Sequence, residues 1–368
     1  MSDPTFSRAV INWQRSHGRH ALPWQNTRDA YRIWLSEIML QQTQVAAVIP
    51  YYTRFLERFP DVRTLAAAPA DDVMAHWAGL GYYSRARNLH KCAQQVVERY
   101  AGVFPADPLL LAELPGIGRS TAAAIAAFAY GTRAAILDGN VKRVFARVFG
   151  VDQFPGIKSV ETALWQRADA LLPPHGPEPG IASYTQGLMD LGATLCTRGK
   201  PACERCPLAA RCVALASGRV HELPVRKPAK IAPVKHAVML VVIDRGEILL
   251  HKRPDNGIWG GLYSLPELDG HRHAADMRDA QADQAALEAA VLPFGEFGSA
   301  QLLAPFAHTF THFKLEVAPY LVTLARRHAL AGEGTHVWCA GGALDAVALP
   351  APVRKLLIAL QSQPALPL

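Results

Sequence analysis

The chain has 368 residues, half of them hydrophobic and 19% charged, with a formal net charge of +7. This composition excludes a disordered chain, and the length is more than one hydrophobic core usually serves. The most apolar runs, Thr121–Tyr130 and Ala237–Ile243, fall far short of the ~20 residues that span a bilayer, so no membrane role is expected, while the positive balance favours a polyanionic partner without requiring one. The opening MSDPTFSRAV lacks a basic start followed by an apolar run, which predicts a cytoplasmic protein.

Residues 1–215 read as a helical domain, because apolar residues recur at helical spacing between Pro and Gly punctuation. The first predicted helix, Asp29–Thr43, carries Ser36-Glu37-Ile-Met-Leu-Gln41-Gln42-Thr-Gln44-Val45. On a continuous helix Glu37, Gln41 and Gln44 share one face. That face is either an ordinary polar stripe or a site. Trp34, Ile38 and Leu40 beside Glu37 argue for partial desolvation, which would raise its pKa and suit it to general acid work. Further helices are predicted over Pro50–Phe59, Ala70–Leu80 and Ser84–Tyr100. Between the last two, Gly79-Leu-Gly81 leads into Tyr82 and Tyr83, with Arg85 and Arg87 behind them. Rings beside cations suit either unstacked bases or plain core packing.

Leu114-Pro-Gly116-Ile-Gly118-Arg-Ser120-Thr121 precedes the Ala-rich helix Arg119–Tyr130. Two glycines two apart at a helix N-terminus make a turn whose backbone N–H groups can cradle a DNA phosphate; an ordinary helix–turn–helix connection uses the same residues. Asp138 precedes the predicted helix Gly139–Val148, where it would serve as N-cap or could stabilise positive charge on a sugar. After a helix over Val160–Leu172, Pro173–Gly180 is too rich in Pro and Gly for regular structure.

Four of the six cysteines then follow as Cys196-x6-Cys203-x2-Cys206-x5-Cys212. Such a cluster in a reducing compartment means metal more often than disulfides. One short pair with two wider arms suits a [4Fe–4S] cluster, though four thiolates can also hold zinc. Residues 216–235 have linker composition, with prolines and Lys/Arg concentrated over Leu223–Lys235. Beyond them a smaller α+β domain, residues 236–368, is predicted from a hairpin (Ala237–Ile243, turn Asp244–Gly246, strand from Ile248), an alternating strand Phe313–Val317 and a helix near Ala351–Gln361.

Taken in order, the hairpin, the downstream Asp and the cysteine cluster resemble the helix–hairpin–helix, iron–sulfur DNA glycosylase superfamily, across nearly all of residues 1–215. Endonuclease III and the adenine glycosylase MutY are its two nearest branches. A Schiff-base Lys stands two residues after the second hairpin glycine in endonuclease III, and here that position is Ser120, whose hydroxyl cannot do this chemistry. Leu22-Pro-Trp24 and the segment around Glu37 look like the MutY signature, and the C-terminal extension looks like that branch's Nudix-like domain.

The resemblance implies a monomeric, monofunctional glycosylase with a [4Fe–4S] cluster on Cys196, Cys203, Cys206 and Cys212. Its substrate would be double-stranded DNA with adenine opposite 8-oxoguanine or guanine. Glu37 and Asp138 would be catalytic. Trp24 and Gln186 would line the adenine pocket with Glu37, and Gln42 and Tyr82 would wedge into the base stack. Gly116 and Gly118, with Arg198 and Lys200 of the cysteine loop, would grip phosphates. Phe310, Thr311 and His312 would read 8-oxoguanine. Trp259-Gly-Gly261-Leu-Tyr-Ser-Leu-Pro-Glu267 matches the start of a Nudix box, but Ala275-Asp-Met-Arg-Asp279 stands where its metal-binding carboxylates belong, so no nucleotide hydrolysis is expected. Two other readings stay open: an endonuclease III-like glycosylase/lyase, and a non-catalytic iron–sulfur DNA-binding protein.

Overall fold

A computed structural model describes residues 3–174, 180–227, 232–268, 280–328 and 335–362. The chain divides into two compact units, one of residues 1–68 and 88–229, the other of 69–87 and 230–368. Among the described residues no helix is long and apolar enough to cross a membrane.

Among the described residues, twelve α-helices occupy the chain before the second unit's sheet: α1 (Pro4–His17), α2 (Ala30–Leu40), α3 (Val45–Arg58), α4 (Val62–Ala67), α5 (Ala70–Trp77), α6 (Ser84–Tyr100), α7 (Pro108–Ala112), α8 (Arg119–Tyr130), α9 (Gly139–Val148), α10 (Lys158–Ala170), α11 (Ile181–Asp190) and α12 (Val213–Ala216). The core of the first unit gathers Phe6 and Val10 of α1, the alanines of α8, Val141, Val144 and Phe145 of α9, and Tyr184 and Leu188 of α11. Alanine on α8 lets neighbouring helices pack closely on both sides of it.

Four helices differ in their bounds from the sequence expectation: the Ala70–Leu80 helix ends at Trp77, the Val160–Leu172 helix runs over Lys158–Ala170, and two more differ near the site. The predicted Asp29–Thr43 helix begins after Asp29, whose carboxylate caps it by accepting from the backbone N–H groups of Tyr31 and Arg32, and it ends at Leu40. Gln41 caps its C-terminus, Gln42 adopts φ +59°, and Gln44 precedes α3. Glu37, Gln41 and Gln44 therefore do not share a helical face. Pro50 does not open its helix either, for α3 starts at Val45 and carries Pro50 in its second turn. Pro50 has no N–H to give the Ala46 carbonyl, so one rung of the helix ladder is absent there.

Residues placed in the linker by composition are partly packed. Val220 and Leu223 are buried with Ala214 in a small core against Cys203 and Cys212. Residues 228–231 of the linker and 175–179 of the Pro/Gly loop lie outside the described residues.

The second unit holds a seven-stranded sheet of β1 (Val234–Asp244), β2 (Glu247–Lys252), β3 (Tyr263–Ser264), β4 (Gly295–Leu302), β5 (Phe306–Thr309), β6 (Lys314–Arg327) and β7 (His336–Ala340), with α13 (Ala280–Val291) and α14 (Ala351–Gln361). The strand order is β3-β2-β1-β6-β4; β5 adds to β6 and β7 to β2. The expected hairpin is present, with Asp244 paired to Glu247 and positive φ at Arg245 and Gly246, as a tight turn between twisted strands requires. β1 runs parallel to β6, and their middles, Val238–Ile243 and Val317–Val322, are continuous apolar runs, while the first residues of β6 alternate in burial and its last ones are partly exposed. The degenerate Nudix segment Ala275–Asp279 lies outside the described residues.

Candidate active site

The first unit contains a cavity of about 510 Å³ lined by Arg19, Trp24, Glu37, Phe128, Gln186 and Met189 among others. Three residues expected at a base pocket, Trp24, Glu37 and Gln186, thus come together from three separate segments. Trp24 is 8% exposed and meets Tyr52 of α3 edge-on, with ring centroids 5.4 Å apart. Such a wall is flat, apolar and rigid, which suits stacking on a planar base.

Glu37 reaches the cavity from α2, whose remaining face is buried through Ile33, Trp34, Leu35, Ile38 and Met39. Burial pushes its carboxyl up to about 8, and the nearby negative charge of Asp138 adds to the rise. Asp138 caps α9, its carboxylate accepting from the Val141 backbone N–H at 2.8 Å and from Asn140 Nδ2 at 3.2 Å. Burial raises Asp138 too, but these hydrogen bonds and the Arg143 charge oppose the rise. Two neighbouring acids therefore differ in what supports their anions: hydrogen bonds and a guanidinium charge for Asp138, and no such support for Glu37. The capping role and a charged role for Asp138 are compatible, since the same N–H donors serve both.

The glycine hairpin lies where α8 begins. Gly116 has φ +78°, and a Cβ there would stand 3.0 Å from Asn88 Cβ. Gly118 caps α8, and a Cβ on it would meet nothing, so the space outside it is open. Ser120 does not face outward as a free hydroxyl: its Oγ accepts from the Leu137 backbone N–H at 3.0 Å. That bond ties the hairpin helix to the residue before Asp138.

The four clustered thiols line one small, mostly apolar pocket with Val144, Leu191 and Leu195. Among the described residues no three His, Cys, Asp or Glu side chains stand close enough to share one metal ion. Arg147 is 2% exposed and donates through Nη1 to Cys196 Sγ at 3.3 Å and to the Thr197 carbonyl at 2.8 Å. Arg143 donates through Nε to the Cys196 carbonyl at 2.8 Å and through Nη2 to Asn140 Oδ1 at 2.8 Å. Four thiols around an apolar pocket, with two guanidinium groups to offset thiolate charge, fit the donor set of a [4Fe–4S] cluster. Gly192 makes the arrangement possible, since a Cβ on it would stand 2.5 Å from Asn140 Cβ. Hydrogen bonds thus run unbroken from Asp138 through Asn140 and Arg143 to Cys196. Arg198 and Lys200 are exposed on the cysteine loop, which the Thr197 hydroxyl braces by donating to the Lys200 carbonyl at 2.7 Å.

Gln42 is exposed and, like Tyr82, has positive φ, which costs a non-glycine residue roughly 1–3 kcal/mol. In the second unit a cavity of about 800 Å³ is lined by Tyr82, Trp259, His308, Phe310, Thr311 and His312 among others. Phe310 and Phe313 stack at 4.5 Å, and the Phe310 N–H donates to the Phe313 carbonyl at 2.8 Å, so Thr311 and His312 project at the tip of the β5–β6 hairpin. Trp259 backs Phe310 at 5.8 Å. Of the two readings of the rings and cations here, Arg85 follows core packing: it is 7% exposed, its guanidinium over the rings of Trp77 and Tyr82.

Comparison with known proteins places this geometry. Residues 35–170 match the HhH-GPD superfamily of base excision DNA repair proteins, and residues 237–359 match the NUDIX domain. An adenine DNA glycosylase of Buchnera aphidicola (subsp. Acyrthosiphon pisum, strain APS) is 33% identical over 97% of this chain and 98% of its own. The chain belongs to the adenine DNA glycosylase family. The Homo sapiens adenine DNA glycosylase is likewise 33% identical, over 87% of this chain and 67% of its own. Among solved structures, a thermostable thymine-DNA glycosylase is 30% identical with a TM-score of 0.52, covering 58% of this chain and 95% of its own. The Buchnera adenine DNA glycosylase thus spans nearly the whole chain, whereas the thymine enzyme spans little more than half of it.

Sequence reasoning missed one residue lining the cavity and another directly behind it. Arg19 lines it, and Asp190, wholly buried beneath, pairs with Arg19 at 2.6 Å. An aspartate inside the apolar run Leu188-Met-Asp190-Leu191 was the available signal, because an acid there must be partnered. Arg143 and Arg147 were also missed, although their spacing of four puts both on the apolar face of α9.

Proposed function

We propose that this chain hydrolyses the N-glycosidic bond of adenine paired with 8-oxoguanine or guanine in duplex DNA. The observation that carries the reading is a pair of unlike acids that feel each other's charge: Glu37, which lines the cavity and whose carboxyl burial pushes up to about 8, and Asp138, which stands behind the lining residues with its carboxylate hydrogen-bonded at the start of α9. Adenine inside the stack is out of reach, so the nucleotide is flipped out and enters the cavity beside Trp24. Glu37 donates its proton to purine N7. The C1′–N9 bond breaks with its electron pair passing to the base, and the Asp138 carboxylate stabilises the positive charge left on the sugar. Water supplies the oxygen that joins C1′, and its released proton replaces the one given up by Glu37.

In this reading the other residues bind and orient DNA. Gln42 and Tyr82 fill the gap left by the flipped base. Gly116 and Gly118 hold a phosphate on the α8 N-terminus, as do Arg198 and Lys200 on the cysteine loop. Cys196, Cys203, Cys206 and Cys212 hold a [4Fe–4S] cluster that fixes this loop. Phe310, Thr311 and His312 address the base opposite adenine, where a hydroxyl can read the C8 oxygen or the N7 proton of 8-oxoguanine.

Single-turnover assays test the two acids. Glu37→Gln and Asp138→Asn should each lose at least a hundredfold in adenine release while binding mispaired DNA within a few-fold of wild type, because the carboxylates act on the transition state. A rate near wild type in either variant would remove that residue from its role.

A further inference from the structure

Asp190 lies just behind the base cavity without lining it, and three hydrogen bonds and an ion pair converge on its carboxylate. Arg19 donates its backbone N–H to Oδ2 at 2.8 Å and its Nε to Oδ1 at 2.7 Å, and its Nη2 stands 2.6 Å from the same oxygen as an ion pair. Gln186, one turn earlier on α11, donates Nε2 to Oδ1 at 2.8 Å. Both donors also line the cavity. The carboxylate is 0% exposed, so it has no water to accept from in place of these donors, whereas the Arg19 side chain keeps 29% of its surface exposed.

We infer that Asp190 is a positioning residue that sets the hydrogen-bond polarity of the base cavity and thereby selects a 6-aminopurine over a 6-oxopurine. The argument rests on the reading of this cavity as an adenine site. A side-chain amide can turn over and present either its NH2 or its oxygen, and little else distinguishes the two orientations. An ionised carboxylate only accepts. Asp190 therefore claims the Gln186 NH2 and leaves Oε1, an acceptor, for the cavity. Arg19 has donors only, and with Nε and Nη2 committed to Asp190 its guanidinium is fixed in place with Nη1 left over.

One acceptor and one donor match the edge of adenine, whose 6-amino group donates and whose N1 accepts. Hypoxanthine reverses both groups, with an accepting O6 and a donating N1–H. A 6-oxopurine would thus face two opposed contacts in a buried site, where unmatched polar groups are costly. Asp190 touches no substrate; its effect passes through Gln186 and Arg19.

The test measures single-turnover excision of adenine and of hypoxanthine, each opposite guanine in otherwise identical duplexes, and takes the ratio of the two rates within each protein. The ratio cancels general losses of fold or DNA affinity. In Asp190→Asn the new NH2 can donate to Gln186 Oε1, freeing the amide to turn over, and the ratio should fall at least tenfold from wild type. Asp190→Glu should restore it to within about threefold. If Asp190→Asn does not fold, Gln186→Leu serves: it removes the acceptor, and adenine should lose at least tenfold more than hypoxanthine. Equal losses on both bases in Asp190→Asn, or in Gln186→Leu, would overturn the inference. Wild type that releases adenine with an unchanged ratio in the variants refutes the role of Asp190 alone, whereas wild type that releases no adenine refutes the site reading beneath it.

Discussion

Replacing Glu37 by Gln keeps the shape of the protonated acid and removes its titration. In the native protein this carboxyl holds its proton up to about 8, against an ordinary value of 4.5. At 1.36 kcal/mol per unit the difference amounts to about 5 kcal/mol, and water in the open cavity discounts this to about 2–5 kcal/mol. The sign follows from which state holds the proton. Between pH 4.5 and 8 the native state keeps a proton that the unfolded chain releases, so wild-type stability falls as pH rises through this window and the full loss is reached above it. The Glu37→Gln variant has no such loss. Urea unfolding of the intact protein at pH 5 and pH 9, followed by tryptophan fluorescence, should find the two proteins about equal at the lower pH. At the higher pH the Glu37→Gln variant should be more stable by about 2–5 kcal/mol. All other titrating groups are shared, so the difference isolates Glu37. A gap between the proteins that does not change with pH would refute the desolvation argument and, with it, the reason for treating Glu37 as a protonated acid near neutrality.

The remaining predictions concern chemistry and recognition. Wild-type adenine release should hold up to about pH 8 and then fall roughly tenfold per unit as Glu37 ionises, a limb that Glu37→Gln should lack. Borohydride should trap little covalent enzyme–DNA adduct, because a hydroxyl stands at Ser120; Ser120→Lys should raise trapping, at some cost in stability from the lost bond to the Leu137 N–H. The purified protein should absorb near ~400 nm with about four irons per chain, and Cys203→Ala should lower both the iron content and the affinity for DNA. Thr311→Val should reduce the preference for 8-oxoguanine over guanine about ten- to hundredfold at fixed salt, while equal losses on both substrates would mean that the loop adds only general affinity.

The elements legible in the sequence were those with strong local signals. A long apolar run broken by Asp244-Arg-Gly246 is enough to indicate the β1–β2 hairpin, and Asp138 before an amphipathic segment is enough to indicate an N-cap. Boundaries decided by tertiary context were not legible. Nothing local announces that α2 stops at Leu40, because the left-handed turn at Gln42 falls on a residue with no preference for it. The same holds for the polar residues that complete the site. Glu37 could be found from its apolar neighbours, and the cysteines from their spacing. Asp190, Arg19, Arg143 and Arg147 act through partners at the far side of the fold: Arg19 and Asp190 are separated by 171 positions, and Arg143 and Cys196 by 53. Pairings over such distances leave no periodic trace in a single chain.

The most direct measurement incubates the intact protein with duplexes carrying adenine opposite 8-oxoguanine, adenine opposite guanine, and thymine opposite guanine. Chromatography identifies the base set free, and denaturing gels scored before and after alkali follow the strand. Free adenine from the first two duplexes, no thymine from the third, and strand breakage only after alkali are the predicted results. Release of thymine, release of no base at all, or strand breakage without alkali would contradict the assignment of this site to hydrolytic removal of adenine.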